Sequence, residues 1–187
     1  MTDTIQLPSQ IAEVLASEQS SEERFSDLMR AIAEFLQCDR CFLYLRQPET
    51  RMGKVPFCWV RSPDVPTVYD EEWKPEPTSL PDEDPMFAAA LRTEPSLFIE
   101  DVKTASSAQL NRQFEQENFG HRALIHAHLC QDQHLWGVLQ PCLMARSRHW
   151  TETERQIVNQ VVQDITPIAV EYVNSHTKEK SKDHSQE

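Results

Sequence analysis

The stretch from His121 to Trp150, HRALIHAHLCQDQHLWGVLQPCLMARSRHW, decides the fold. Its first ten residues, His121 to Cys130, are dominated by aliphatic and β-compatible side chains with no helical spacing, and read as a strand. Gln131-Asp132-Gln133-His134 is a polar turn, and Leu135-Trp136-Gly137-Val138-Leu139 opens a second strand. Immediately afterwards Thr151-x-x-Glu154 matches a capping box, in which a hydroxyl and a carboxylate satisfy each other's backbone N–H groups at the start of a helix. Two strands joined by a short turn must run antiparallel, so this end of the chain predicts an antiparallel sheet with a long helix laid beside it.

Working outward, the same grammar continues toward the N-terminus. Ile11, Val14 and Leu15 mark the apolar face of a first helix; Ser20-x-x-Glu23 caps a second, whose Phe25, Leu28, Met29, Ile32, Phe35 and Leu36 recur at helical spacing. Strands are predicted over Cys41–Arg46 and Pro56–Arg61, then a loop from Pro63 to Pro85 that holds six prolines and a cluster of acids. Met86–Leu91 reads as a helix entered through Asp84-Pro85, Leu97–Ile99 as a short buried strand, and Ala108–Asn118 as another helix. In the last helix Ile157, Val158, Val161, Val162, Ile165, Ile168, Ala169, Tyr172 and Val173 cover more than half of the circumference. That width implies a second contact surface, with a dimer face formed by Ile157, Val161, Ile165, Ile168 and Tyr172. Pro167 should kink this helix. The expected organisation is an N-terminal helix or arm over 1–20, one domain over 21–174, and a disordered polar tail over 175–187.

Bulk properties exclude several functions. The chain has 187 residues and a net charge of −12, so a basic nucleic-acid or anionic-membrane surface is not expected. No apolar run approaches a membrane span and the start lacks a secretory pattern, which points to the cytoplasm. Five cysteines at positions 38, 41, 58, 130 and 142 do not form a disulfide framework and should be free thiols.

The order of elements, an α+β arrangement, resembles the GAF domain family, and more narrowly the bilin-binding GAF domains of phytochromes and cyanobacteriochromes. The resemblance rests on Cys38-Asp39-Arg40, on Asp84-Pro85-Met86-Phe87 with Ala88–Leu91, on Leu97–Asp101, and above all on His121–Trp150. It implies a central antiparallel sheet of five or six strands, helices on both sides, N- and C-terminal helices packed together, and a cyanobacterial type of sensor. It also implies a ligand pocket that includes Leu124, His126, His128 and Cys142. Where bilin-binding relatives carry the attachment cysteine followed by histidine, this chain aligns Asn111-Arg112, and Cys142 replaces a pocket histidine. Covalent bilin attachment is therefore not expected, and no cofactor is assigned.

Other residues could carry chemistry of their own. His126, His128 and Cys130 alternate along one strand and so share a face, a geometry that could hold Zn²⁺ or iron, although half-buried histidines hydrogen-bonded to backbone or water are the favoured reading. Cys38-x-x-Cys41 resembles a redox pair, although small apolar core residues explain it as well. Trp59, Trp73, Trp136 and Trp150 could line a flat ligand or fill the core, Trp73 being placed to act as a pocket lid or partner anchor. There is no nucleophile elbow, phosphate loop or His-Glu-x-x-His motif, so catalysis is not expected. The reading is a stand-alone, non-enzymatic regulatory or sensory GAF protein acting by homodimerisation and binding to an unidentified protein, with a small-molecule ligand as an option. The alternatives are a cofactor-binding GAF protein, with a non-covalent tetrapyrrole, metal or iron–sulfur centre, and a structural assembly factor.

Overall fold

The computed structural model describes residues 5–183. Helices α1 (Ser9–Ala16) and α2 (Ser21–Leu36) lead into strands β1 (Arg40–Gln47), β2 (Met52–Val60) and β3 (Asp70–Pro75). Short helices α3 (Leu80–Glu83) and α4 (Pro85–Leu91), strand β4 (Leu97–Ile99) and helix α5 (Arg112–Asn118) follow, and β5 (Ala123–Gln131), β6 (His134–Leu143) and α6 (Glu152–Asp183) complete the fold. The six strands form one antiparallel sheet in the order β3-β2-β1-β6-β5-β4.

Both expected capping boxes form. Ser20 Oγ accepts from the Glu23 N–H at 3.2 Å while Glu23 accepts from the Ser20 N–H, and Thr151 and Glu154 make the same exchange at the start of α6. Several boundaries differ from the sequence reading; β2, for one, begins at Met52 rather than Pro56. The acidic proline-rich segment contains β3, an edge strand, where a proline at the strand end and charged side chains are tolerated because one edge has no partner strand. Helix α5 begins at Arg112 rather than Ala108, because the Asn111 side chain caps it by accepting from the Phe114 N–H. Residues Ser175–Asp183, expected to be disordered, continue α6; extending an established helix costs far less than starting one, and Lys178, Glu179, Lys180 and Lys182 are good helix formers. Residues 184–187 of that expected tail lie outside the described residues.

Alternation along the strands gives the sheet two unlike faces. Cys41, Leu43 and Leu45 of β1, Ile125, Ala127 and Leu129 of β5, and Leu139 and Leu143 of β6 pack against Phe25, Leu28, Ile32, Ile157, Val161 and Ile165 of α2 and α6. The opposite face carries Arg40, Phe42, Tyr44 and Arg46 of β1, Leu124, His126 and His128 of β5, and Val138, Gln140 and Cys142 of β6. It is covered by β3, α3, α4 and the segments around β4 and α5.

A bulge sets which β6 residues join that face. The Asp132-Gln133 turn, with φ of 52° and 62°, pairs Gln131 with His134 and Cys130 with Leu135. The register then slips by one residue, so that Leu129 pairs with Gly137, Ala127 with Leu139 and Leu124 with Cys142. Gly137 is required where β6 meets β1, since a Cβ there would lie 2.5 Å from the Tyr44 carbonyl oxygen.

Candidate functional site

A cavity of about 350 Å³ lies between the polar face of the sheet and the β3–α4 segment. Its floor is formed by Phe42 and Tyr44 of β1, His126 of β5, and Val138 and Gln140 of β6. Its walls include Val68, Glu76 and Pro77 beside β3, Leu80, Met86 and Phe87 of α3 and α4, and Phe119 after α5. That size falls at the lower end of small-molecule sites, and an apolar lining with a few polar groups is their usual composition.

Three buried networks surround the cavity. In the first, Arg46 donates to both Glu76 carboxylate oxygens, at 2.7 and 2.9 Å, and to the Leu135 carbonyl at 3.1 Å, while Tyr44 Oη donates to Glu76 at 2.6 Å. The ion pair is only 6% and 4% exposed, so both charges depend on this bidentate geometry. Burial, then the neighbouring Glu76 charge, pushes the Tyr44 phenol well above its ordinary range, so it remains a donor. Gly53 makes this possible, because a Cβ there would overlap the Tyr44 ring.

In the second network, Arg40 donates to the Pro66 carbonyl at 2.6 Å and to His121 Nε2 at 2.6 Å. A guanidinium cannot accept, so Nε2 holds a lone pair and the proton sits on Nδ1, which meets the buried Glu115 carboxylate. Burial opposes charging of this ring; the adjacent Cys142 sulfur and Glu115 favour it, but the lone pair that Arg40 needs keeps it neutral in this arrangement. Phe119 stacks on His121 at 5.3 Å between ring centres, which connects this network to the cavity wall.

The third network fixes two tautomers. His128 Nδ1 lies 2.7 Å from the Glu94 carbonyl, which only accepts, so Nδ1 carries the proton and Nε2 is an acceptor. His126 Nδ1, 2.9 Å from that nitrogen, must donate to it, and His126 Nε2 is left with a lone pair. Burial lowers the pKa of both rings, that of His126 strongly, so each stays neutral. Asp84, also at the cavity, accepts from the Met86 and Phe87 N–H groups as the N-cap of α4; burial pushes its carboxyl up to about 6.

The four sequence-predicted pocket residues do share the polar face, but only His126 lines the cavity. Leu124 and Cys142 are packed with Met86, Ile99, Val102 and Leu110, which fill the β4–β5 end of that face. His128 lies behind His126. The cavity instead extends over β1, β2 and β3, and its lining includes Phe42, Tyr44, Glu76, Asp84, Phe119 and Gln140, which the sequence reading did not select.

The proposed dimer face is also placed differently. Ile157, Val161, Ile165 and Tyr172 are buried in the chain's own core, with Ile168 packed partly against it, because α6 contacts the sheet with one side and α2 with another. None of the four tryptophans lines the cavity. Trp59, Trp73 and Trp136 pack on the helix side and Trp150 is fully buried, its indole N–H donating to the Ile99 carbonyl at 3.1 Å. Trp73 is thus no lid: Lys54 Nζ sits 4.8 Å from its ring centre. Cys38 and Cys41 are buried core thiols whose pKa values are raised, chiefly by burial, which disfavours the thiolate a redox pair would need. No helix among the described residues is long and apolar enough to cross a membrane.

Comparison with known proteins agrees with this architecture. The far-red-absorbing dark state of JSC1_58120g3 with bound biliverdin IXa superposes with a TM-score of 0.66 at 15% identity, over 88% of this chain and 97% of that one. The GAF domain of Acinetobacter phosphoenolpyruvate-protein phosphotransferase gives 0.64 at 11%, over 86% and 88%. The blue-light-absorbing form of the Thermosynechococcus elongatus PixJ GAF domain gives 0.61 at 19%, over 91% and 99%. A comparison with curated proteins finds no match. At these identities the structures establish a shared fold, whereas the family itself is recognised in the sequence, since residues 20–166 match the GAF domain. The chain belongs to the GAF domain family.

Proposed function

We propose that this chain is a non-enzymatic sensory or regulatory GAF domain that binds a small molecule without a covalent link and signals by altering its contact with another protein. The observation that carries the reading is the cavity itself, which is lined by side chains of the sheet, α3 and α4 yet by no cysteine. Cys142 shares the polar face but is 0% exposed, and Cys130 packs against the cluster of Phe87, Ala90, Leu135 and Val138 without lining the cavity itself. A bilin held here would therefore be held by packing and hydrogen bonds alone. The five free cysteines fit a reducing, cytoplasmic setting.

A metal centre at His126 and His128 is less well supported. Both nitrogens of His128 and Nδ1 of His126 are engaged within the protein, which leaves one nitrogen between the two rings for a metal. A homodimer would need a surface other than the buried side of α6.

The test is to incubate purified protein with biliverdin or a cell extract and compare masses and absorption spectra before and after denaturation. A ligand that binds natively and is lost on denaturation supports the reading; an adduct that survives denaturation contradicts it. Light scattering at micromolar concentration decides between monomer and dimer.

A further inference from the structure

The cavity floor carries information about what it would hold. Gln140 is 6% exposed and lines the cavity, and among the described residues no protein group hydrogen-bonds its side-chain amide. Neither amide atom is among the fully enclosed side-chain atoms that lack a partner, so both open onto the cavity, where water or a ligand completes their hydrogen bonds. The register on either side, Leu124 with Cys142 and Ala127 with Leu139, places His126 directly across from Gln140. On the other side Gln140 pairs with Phe42. Side chains in such a cross-strand row stand about 5 Å apart. The floor thus presents, side by side, the lone pair of His126 Nε2, an amide that can both donate and accept, and an aromatic ring.

Charge narrows the choice further. The cations around the cavity are already engaged: Arg46 with Glu76, Lys74 with Asp70 at 2.5 Å, and Lys54 over the Trp73 and Tyr172 rings. Glu76 and Asp84 both line the cavity, so an anionic ligand would meet carboxylates rather than free cations. Phe87 and Phe119 supply flat apolar walls.

We propose that the cavity binds an uncharged planar heterocycle of one or two rings through a lactam edge, its N–H donating to His126 Nε2 and its adjacent carbonyl accepting from the Gln140 amide. This rests on the reading of the cavity as a ligand site. The size of the cavity suits such a ring system, and the paired groups distinguish a lactam from a plain hydrocarbon of equal area.

The experiment is calorimetric titration of the whole protein with thymine, hypoxanthine and lumazine, beside 1,3-dimethyllumazine, inosine monophosphate and biliverdin. At least one of the first three should bind, with N-methylation or addition of phosphate weakening binding at least tenfold. Gln140→Leu should weaken it at least tenfold too, while leaving the Tm of the ligand-free protein unchanged or higher, a combination that a purely structural glutamine would not give. His126→Phe should weaken binding to a similar degree. Failure of all three lactams, or binding that is insensitive to Gln140→Leu and to N-methylation, overturns the ligand class. If biliverdin alone binds, the class falls while the cavity stands as a ligand site. If nothing binds and Gln140→Leu lowers Tm, both readings fall.

Discussion

The two faces of one sheet, built from alternate residues of the same strands, answer to different demands. Toward α2 and α6 the inward positions are apolar and closely packed, from Cys41, Leu43 and Leu45 to Leu139 and Leu143, with Lys54 over the Trp73 and Tyr172 rings as the charged exception. Toward β3 and α4 the same strands bury two arginines, two histidines and a glutamine. Hydrophobic packing stabilises without regard to direction, so the first face needs only volume and shape. The second face depends on directed hydrogen bonds, and it carries the cavity lined by His126 and Gln140. Stability is concentrated on one side and recognition on the other.

The contrast can be tested by perturbing each face in turn. The largest effect is expected on the polar side: Arg46→Ala leaves Glu76 buried without its partner and should cost about 3–5 kcal/mol in chemical denaturation. The combined replacement Arg46→Met with Glu76→Leu should recover most of that loss, because the desolvation cost goes with the charges. On the helix side Leu139→Ala should cost about 2–5 kcal/mol by opening a cavity in a closely packed core, with no effect on ligand binding. Equal loss of binding in Leu139→Ala and Gln140→Leu would erase the distinction between the faces.

Asp84 gives a smaller, pH-dependent effect. Its folded-state value of about 6 lies above the ordinary 3.8, so the folded chain holds this proton more tightly than the unfolded chain does. Its contribution is therefore fully present below about pH 4 and declines as pH rises through 6. Asp84→Asn keeps an acceptor for the Met86 and Phe87 N–H groups and should flatten that slope, whereas Asp84→Ala loses the cap and should cost about 1 kcal/mol. The smallest expected change is in Gln140→Leu, with a gain of at most about 1 kcal/mol in the ligand-free protein, read as a Tm shift.

Much of the fold was legible because local signals agreed: both capping boxes, the Asp84-Pro85 helix entry and the hairpin around Asp132-Gln133 appear where the sequence places them. The site was harder to read. A bare hairpin counted outward from Gln131 and His134 would put Gln140 and Cys142 on the face opposite His126. The one-residue slip between Leu129 and Cys130 reverses that, and no residue pattern announced it. Gln140 did offer a signal, a lone amide in the apolar run Val138–Leu143. Glu76 and Tyr44 meet across 32 positions of sequence, a contact that only the tertiary structure brings about. The wide apolar surface of α6 misled for a different reason: a helix wedged between a sheet and a second helix needs two apolar sides within one chain.

Native mass spectrometry of the protein purified from its own source, wild type beside Gln140→Leu, tests the account most directly. We expect a small-molecule adduct on the wild type that disappears on denaturation and is absent from Gln140→Leu. An adduct that persists through denaturation, or that is retained equally by Gln140→Leu, would contradict a non-covalent site built on the polar face.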